Sequence, residues 1–480
     1  MPIPRISQSV AKRVLSLHDD HVDLAEIARQ LDLKRAQVSA IIAHRDLRLT
    51  TSNTAERESS EIGRLVVDEY SGPAEPDAPT PTIDADTVEF RDEATEPAAR
   101  DEEAHKGILL GPDVEYGDPL HWNPEDASTV QNPHLMIVGE SGSGKTYAVQ
   151  SLTAELSQRN IPSVIFDYGQ GFELHTLDPT YVKYTTPAEY RVGEEGVALN
   201  PLQMFPNDVH GPKSVATRVA DIFDAVYHLG DIQRKVLIEA ILRTYARAGI
   251  TDSRSSWKNP APNLSALEEV LEELASDKEY PNSRNAVGLS ARLTTFFMLT
   301  SFGGDGAAWS WASILGDAEH HVHILQFRGL EGKTQRVLVE VLLWHLFFYL
   351  KSHGQDRLRL YCVLDEAHHL SFREGGPVDL LLREARKFGL GIIFASQQPE
   401  DFSDVAFSNT ATKLVFQTTD STHKVSRFLA AKCSNYDSPE QVHDVISVLP
   451  QGEAFLLTRN RGNKVRIADL RRRATLWSDQ

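Results

Sequence analysis

Beyond about residue 107 the chain alternates between short, nearly continuous apolar runs and longer segments whose apolar residues recur every three or four positions. The runs LMIVGE, SVIFDYG, HVHILQFRG, LRLYCVLDEA, LGIIFASQQ, TKLVFQTT and EAFLLTR predict strands, several buried on both faces as parallel strands between helices are. That alternation predicts an α/β domain over 106–480. Between about 206 and 300 the period turns helical, in SVATRVADIFDAVYHL, IQRKVLIEAILRTYARAG, LSALEEVLEELASD and ARLTTFFML. A helical insertion in the α/β core is expected there. No solenoid-type repeat interrupts the pattern.

The first hundred residues differ. Leu24, Ile27, Ala28 and Leu31 share one helical face, the pattern breaks at Asp32 and Leu33, and it resumes with Val38, Ile41 and Ile42. With Val10, Val14 and Leu15 closing the core from a third helix, residues 1–50 predict a helix-turn-helix-like domain. Its second helix would expose Lys34, Arg35, Gln37 and Ser39, a pattern that serves DNA reading or protein docking. Residues 51–105 carry five prolines and few large apolar groups, too little burial to offset the entropy of ordering them. They read as an acidic flexible linker, in which only EIGRLVVDEY suggests a short helix or strand. A DNA-mimicking role for the acidic run is the lesser alternative to a tether.

With 41% hydrophobic residues over 480 positions, the chain can build sizeable cores without disulfide or metal staples. Its two cysteines, Cys362 and Cys433, offer neither a disulfide framework nor a cysteine-based zinc knuckle. A reducing, cytoplasmic setting is expected. The N-terminus lacks the apolar run of a signal peptide, and no segment approaches the length of apolar chain that spans a bilayer, so membrane insertion is not expected. The formal net charge of −19 concentrates in residues 51–105, which carry −12, against +2 for residues 1–50 and −9 for the rest. Nucleic-acid binding through a separate surface therefore stays open.

The sharpest chemical signal is Gly139-Glu-Ser-Gly-Ser-Gly144-Lys145-Thr146, between an apolar strand and the helical YAVQSLTAELSQR. Compact glycines let successive N–H groups curl around a phosphate, and the helix start adds a favourable dipole. Gly139, Glu140, Ser141, Gly142, Ser143, Gly144, Lys145, Thr146 and Tyr147 are the expected ATP contacts, with Lys145 on the β- and γ-phosphates and Thr146 on Mg²⁺. A second strand ends in Asp365-Glu366; the first acid suits Mg²⁺ and the second suits polarising the attacking water. Ser396 and Gln397 emerge at the end of the following strand, where an amide can sense the γ-phosphate or orient water; a buried structural glutamine is the competing reading. The helix VDLLLREARKFG carries Arg383, Arg386 and Lys387, which could neutralise phosphate within the chain, reach across a subunit boundary, or face solvent. Asp167, at the end of SVIFD, is a further candidate to orient Mg²⁺-bound water or Lys145. His321 and His323 read as polar edge-strand residues rather than metal ligands, and the roles of His368 and His369 stay open. Arg459, Arg461, Lys464, Arg466 and Arg471 to Arg473 form a basic run suited to DNA, an adjacent subunit, or a solvated tail.

From about 107 onward, ILLGPDVEYGDPLHWNPEDASTVQNPHLMIVGESGSGKT, the DEAHHL strand end and REARKFGLGIIFASQQP together resemble the HerA/FtsK group of RecA-like motor ATPases, HerA most closely. The resemblance implies a RecA-like P-loop core, a hexameric ring that couples ATP hydrolysis to movement along double-stranded DNA, and a nuclease partner in end processing or anti-phage defence. It makes Lys145 and Thr146 the Walker A pair, Asp365 and Glu366 the Walker B pair, Gln397 the sensor and Arg386 the arginine placed across the subunit boundary, with Arg383 next in line. Arg328 falls close to the implied interface, and the segment Phe302 to Ala308 or the helical insertion is a candidate DNA-contacting loop. Two features depart from the group: a helix-turn-helix-like unit stands where a small β-barrel is usual, and Tyr168-Gly169-Gln170 replaces His-Gly-Glu. The alternative to a motor is an ATP-dependent scaffold or switch that recruits an effector without translocating.

Overall fold

The computed structural model describes residues 107–126, 130–169, 171–197, 199–299, 309–330, 332–353 and 358–478. The helix-turn-helix-like unit, the acidic linker, Gln170 and the segment Phe302 to Ala308 lie outside them. Nine strands form one sheet in the order β11-β10-β9-β3-β8-β7-β4-β6-β5, and β1 (Ile108–Pro112) pairs with β2 (Pro119–Trp122) in a separate ribbon. All seven strands expected from sequence are there: β3 (Leu135–Val138), β4 (Ser163–Asp167), β6 (Val322–Gln326), β7 (Leu360–Leu364), β8 (Leu390–Ser396), β9 (Thr412–Val415) and β10 (Glu453–Thr458). β5 (Ala188–Arg191) and β11 (Arg461–Arg466) occupy the two edges. From β9 to β5 the neighbours run parallel; β10 alone runs against them, and β11, antiparallel to β10, returns to their direction.

Residues alternate between two faces of the sheet, and each face has its own core. Leu135, Ile137 and Ile165 pack with Val149, Leu152 and Leu156 of helix α1 (Lys145–Gln158). Met136, Val138, Val164 and Phe166 join the opposite core, which contains Leu338, Leu342 and Leu346. Helices α2 (Pro212–Tyr227), α3 (Gly230–Arg247), α4 (Leu264–Ser276) and α5 (Ser283–Leu299) make the helical insertion. They gather around Phe223, Leu237, Ile241, Leu267 and Leu293, a third core. The long helix α6 (Gly332–His353) serves two cores at once, with Val337 and Val341 toward the insertion and Leu338 and Leu342 toward the sheet. Insertion and sheet are thus joined by burial on two stripes of one helix. The architecture is a RecA-like α/β fold, sheet in the middle and helices on both sides.

Two expectations are corrected. The basic C-terminal run is not a solvated tail: it forms β11 and helix α10 (Leu470–Ser478), and much of its charge is matched internally. Arg473 is fully buried, 2.8 Å from Glu155 of α1, while Arg466 pairs with Glu453 at 2.7 Å and Lys464 with Glu115 at 2.8 Å. Nor is His323 at a sheet edge. β6 lies between β4 and β5, and burial drops the His323 imidazole to about 4. Among the described residues no helix is long and apolar enough to cross a membrane.

Candidate nucleotide site

Parallel register brings four strand ends to one edge of the sheet. Val138 aligns with Ser396, Phe394 with Leu364, and Leu364 with Phe166. The loop after β3, the acids after β7, Gln397 after β8 and Asp167 at the end of β4 therefore emerge side by side, the usual place for a ligand in an open α/β sheet. β8 lies between β3 and β7, so Gln397 leaves the sheet between the glycine-rich loop and Asp365-Glu366.

The loop's glycines are required by geometry. A Cβ on Gly139 would stand 2.6 Å from Phe416 Cβ and 2.9 Å from Ser143 Oγ, and Gly144 holds a φ of 113° that a side chain would strain. Gly144 opens α1 with no side-chain cap and no acid in the first turn. The leading N–H groups of that helix are thus left to an anion. Lys145 Nζ donates to Glu140 O at 2.9 Å, crossing the loop's mouth. Burial pulls its ammonium below the ordinary value, against the opposing effect of Glu366, Asp365 and Glu140.

Facing the loop, Asp365 is buried, and its carboxyl is pushed up to about 7 by burial and by the nearby charges of Glu366 and Asp167. Its Oδ1 accepts from Glu366 N at 3.0 Å. Glu366 has a left-handed backbone, φ 51°, and its Oε1 accepts from Gln397 Nε2 at 2.8 Å. Behind these acids runs an aromatic stack: His369 on Tyr168 at 4.7 Å and Tyr168 on Phe327 at 5.3 Å. His369 and Tyr168 thus share a packing contact, and the side chain of His368 lies outside the described residues.

Asp167 is fixed at the end of β4 by three donors. Its Oδ1 accepts from Gly169 N at 3.1 Å, and its Oδ2 accepts from Phe172 N at 3.0 Å and from Gln326 Nε2 at 2.8 Å. These bonds shape the turn after β4, which lays Gly171 against Thr146: a Cβ there would be 3.3 Å from the threonine methyl. Asp167 therefore bears on Thr146 through the turn. Glu140 likewise turns its carboxylate sideways, accepting from Thr419 N at 2.9 Å and from the Thr419 hydroxyl. Tyr147 accepts from Leu470 N at 2.7 Å through its phenolic oxygen, which ties α1 to the start of α10.

Arg386 belongs to the opposite edge. Its Nη1 donates to Gln131 O, just before β3, and β8 then runs roughly 20 Å to Gln397. Neutralisation of its own chain's phosphates by Arg386 is therefore ruled out by distance. Arg383, near the end of helix α7 (Pro377–Glu384), pairs with Asp379 at 2.6 Å. Arg328 pairs with Glu173 at 3.2 Å. Sequence reasoning missed Thr419, Gln326 and the Glu340–Arg373 pair, because each depends on which strands and helices become neighbours. The one legible signal was the polar QTTD that ends the run TKLVF.

A glycine-rich loop, its lysine, two acids on a next-but-one strand and an amide on the strand between them define a P-loop ATPase of RecA-like fold. The family model described as "Helicase HerA, central domain" matches residues 126–346. The chain is 22% identical over 383 residues to the DNA double-strand break repair helicase HerA of Sulfurisphaera tokodaii, covering 75% of this chain and 67% of that one. It is 21% identical over 305 residues to the DNA import protein CedB of Sulfolobus acidocaldarius, covering 62% of this chain and 45% of CedB, under half of that protein's length. Among solved structures, VirB4 of Thermoanaerobacter pseudethanolicus shares the fold with a TM-score of 0.60 at 19% identity, over 76% of this chain and 96% of VirB4. The bacterial conjugative coupling protein TrwBdeltaN70 does so with a TM-score of 0.50 at 16% identity, over 76% and 91% of the two chains. The chain is homologous to the HerA/FtsK superfamily of ATPases.

Proposed function

We propose that the protein is an ATP-driven motor that closes into a hexameric ring and moves along double-stranded DNA in the cytoplasm, working beside a nuclease or other effector in DNA processing or defence. The observation that carries this reading is the division of the catalytic set between two edges of the sheet. Lys145, Glu366 and Gln397 gather at one, and Arg386 stands at the other. A ring would bring the second edge of one subunit to the first edge of the next, completing the site in trans. The relatives named as a repair helicase and a DNA import protein supply the DNA substrate by analogy.

In this mechanism the N–H groups around Gly144 and the amine of Lys145 hold the β- and γ-phosphates of ATP. Three carboxylates crowd the same edge and Asp365 is driven toward neutrality, a donor set that suits a divalent cation. Mg²⁺ would be held by the Thr146 hydroxyl and Asp365, and would supply charge neutralisation at the phosphoryl oxygens. Glu366 polarises the attacking water, and Gln397 positions the Glu366 carboxylate through their hydrogen bond. Loss of the γ-phosphate then releases the contact between subunits and changes their angle.

ATP turnover with and without duplex DNA, paired with displacement of a protein roadblock from that duplex, tests the reading. DNA-stimulated turnover with ATP-dependent displacement supports the motor, and both should vanish in Lys145→Ala. Turnover without displacement would instead support the switch that recruits an effector.

A further inference from the structure

We propose that Asp420, His423 and His443 form a site for a divalent transition metal of the zinc class, separate from the nucleotide site, that ties two C-terminal helices to the strap holding the phosphate loop. One ligand atom from each residue lies within 4.8 Å of the others. His423 leads into helix α8 (Lys424–Lys432), and His443 lies on helix α9 (Pro439–Ser447). Their rings face each other with centroids 4.4 Å apart. Nδ1 of His443 is buried with no hydrogen-bond partner, an orphaned nitrogen that metal ligation would satisfy.

The chain prepares this geometry locally. Asp420 is buried and held rigidly, its Oδ1 accepting from Val425 N at 3.0 Å and its Oδ2 from Ser426 N at 2.8 Å. Each oxygen keeps a further acceptor direction, since a carboxylate offers about four. His423 N donates to Asp420 O at 2.8 Å, a turn that folds the imidazole back toward the acid, with φ 53° at His423. Two imidazoles and one carboxylate match zinc, cobalt or nickel, whereas magnesium and calcium prefer oxygen donors throughout. Water would fill the fourth position. Donor atoms on a tetrahedral zinc stand roughly 3.3 Å apart, so ligation draws the set inward by a small rotation of the exposed His423 ring.

The place of the site gives it a consequence. Thr419 adjoins Asp420 and grips the Glu140 carboxylate, and Gln417 O accepts from Glu140 N at 2.8 Å. Thr418 N also donates to Ile446 O of α9 at 3.1 Å. A metal joining α8, α9 and Asp420 would therefore stiffen the strap that shapes the phosphate loop.

The test uses the full chain, stripped with chelator and free of nucleotide, titrated with Zn²⁺ by competition and with Co²⁺ by visible absorption. One equivalent per chain is expected, with the intense visible bands of four-coordinate cobalt and a higher Tm in Zn²⁺ than in chelator. His443→Ala should abolish the bands and weaken Zn²⁺ at least about tenfold. His423→Asn, which tolerates the left-handed backbone and so preserves the fold, should do the same while keeping the parent Tm in chelator. Absence of a stoichiometric site in the parent chain, or equal metal binding by the folded His423→Asn variant, would overturn the proposal and leave a histidine pair in tilted ring contact.

Discussion

Gln397 Nε2 donates to Glu366 Oε1 across 2.8 Å, joining the ends of the neighbouring strands β8 and β7. The glutamate holds a φ of 51°, a left-handed backbone that costs a non-glycine residue about 1 kcal/mol or more. That cost is borne at the residue proposed to face the terminal phosphate, and the strand carrying the amide lies between the phosphate loop and the acids. Strain, hydrogen bond and strand order converge on one carboxylate.

Gln397→Ala should consequently lower ATP turnover by about 10- to 100-fold with little change in KM, because the amide positions the base and does not grip the nucleotide. Gln397→Glu should be worse, since it sets carboxylate against carboxylate. Glu366→Gln should cost about 100-fold or more. Steady-state phosphate release measures all three, and a KM effect as large as the turnover effect would assign Gln397 to binding instead.

The sheet was legible because parallel strands must be apolar on both faces: LMIV, SVIFD, VHILQ, LYCVL and LGIIFAS are buried along their whole length. The phosphate loop was legible because its glycines are dictated by local backbone shape, as at Gly139 and Gly144. What stayed hidden was neighbourhood. Asp167 reads in sequence as an acid that could orient Mg²⁺-bound water or Lys145 because it ends a strand, but its donors Gly169, Phe172 and Gln326, the last from another strand, could not be read there. Arg473 reads as part of a loose basic tail because no local pattern announces Glu155, its partner 318 positions away.

Gly139→Ala should impair nucleotide binding by distorting the loop from within. Its Cβ would meet Phe416 Cβ at 2.6 Å, and that residue is anchored by Phe416 N donating to Val138 O at 2.8 Å. Neither side can yield cheaply, so overpacking of about 1–3 kcal/mol is expected. Fluorescent-nucleotide titration should show affinity reduced by roughly tenfold or more, alongside a lower Tm.

Arg386→Ala should silence hydrolysis without weakening nucleotide binding to the isolated chain, because the guanidinium stands at the far edge of the sheet, on Gln131 O. Mixed with Glu366→Gln subunits, it should recover a measurable share of turnover at hybrid interfaces. Demonstrated mixed rings with no recovery would move the trans role to Arg383 or Arg328, both paired within the chain in this structure.

Arg473→Ala should be among the most destabilising single changes in the C-terminal run. Its guanidinium is fully buried, joins Glu155 at 2.8 Å and donates from Nη2 to Leu110 O at 3.1 Å. Leu110 O would keep its bond from Ala468 N at 2.9 Å, but the buried Glu155 carboxylate would lose its charged partner, a loss of about 3–5 kcal/mol. Arg471→Ala and Arg472→Ala, at exposed positions of the same helix, should stay within about 0.5 kcal/mol of the parent. Urea unfolding of the three variants separates these cases.

Glu340 should make the protein less stable as pH rises through the weakly acidic range. It is buried on α6, its carboxyl pushed up to about 7 by burial against the opposing effect of Arg373, whose Nη2 is 3.5 Å away. An unfolded glutamate titrates near 4.5. Between those values the folded chain keeps a proton that the unfolded chain has lost, so this group's contribution falls from about pH 4.5 to 7 and is level above. Glu340→Gln preserves the shape and removes the ionisation. Relative to the parent, the variant should therefore gain about 2 kcal/mol between pH 5 and pH 8 in denaturant unfolding. A difference that stays flat over that interval would mean that Arg373 keeps the buried carboxylate charged throughout.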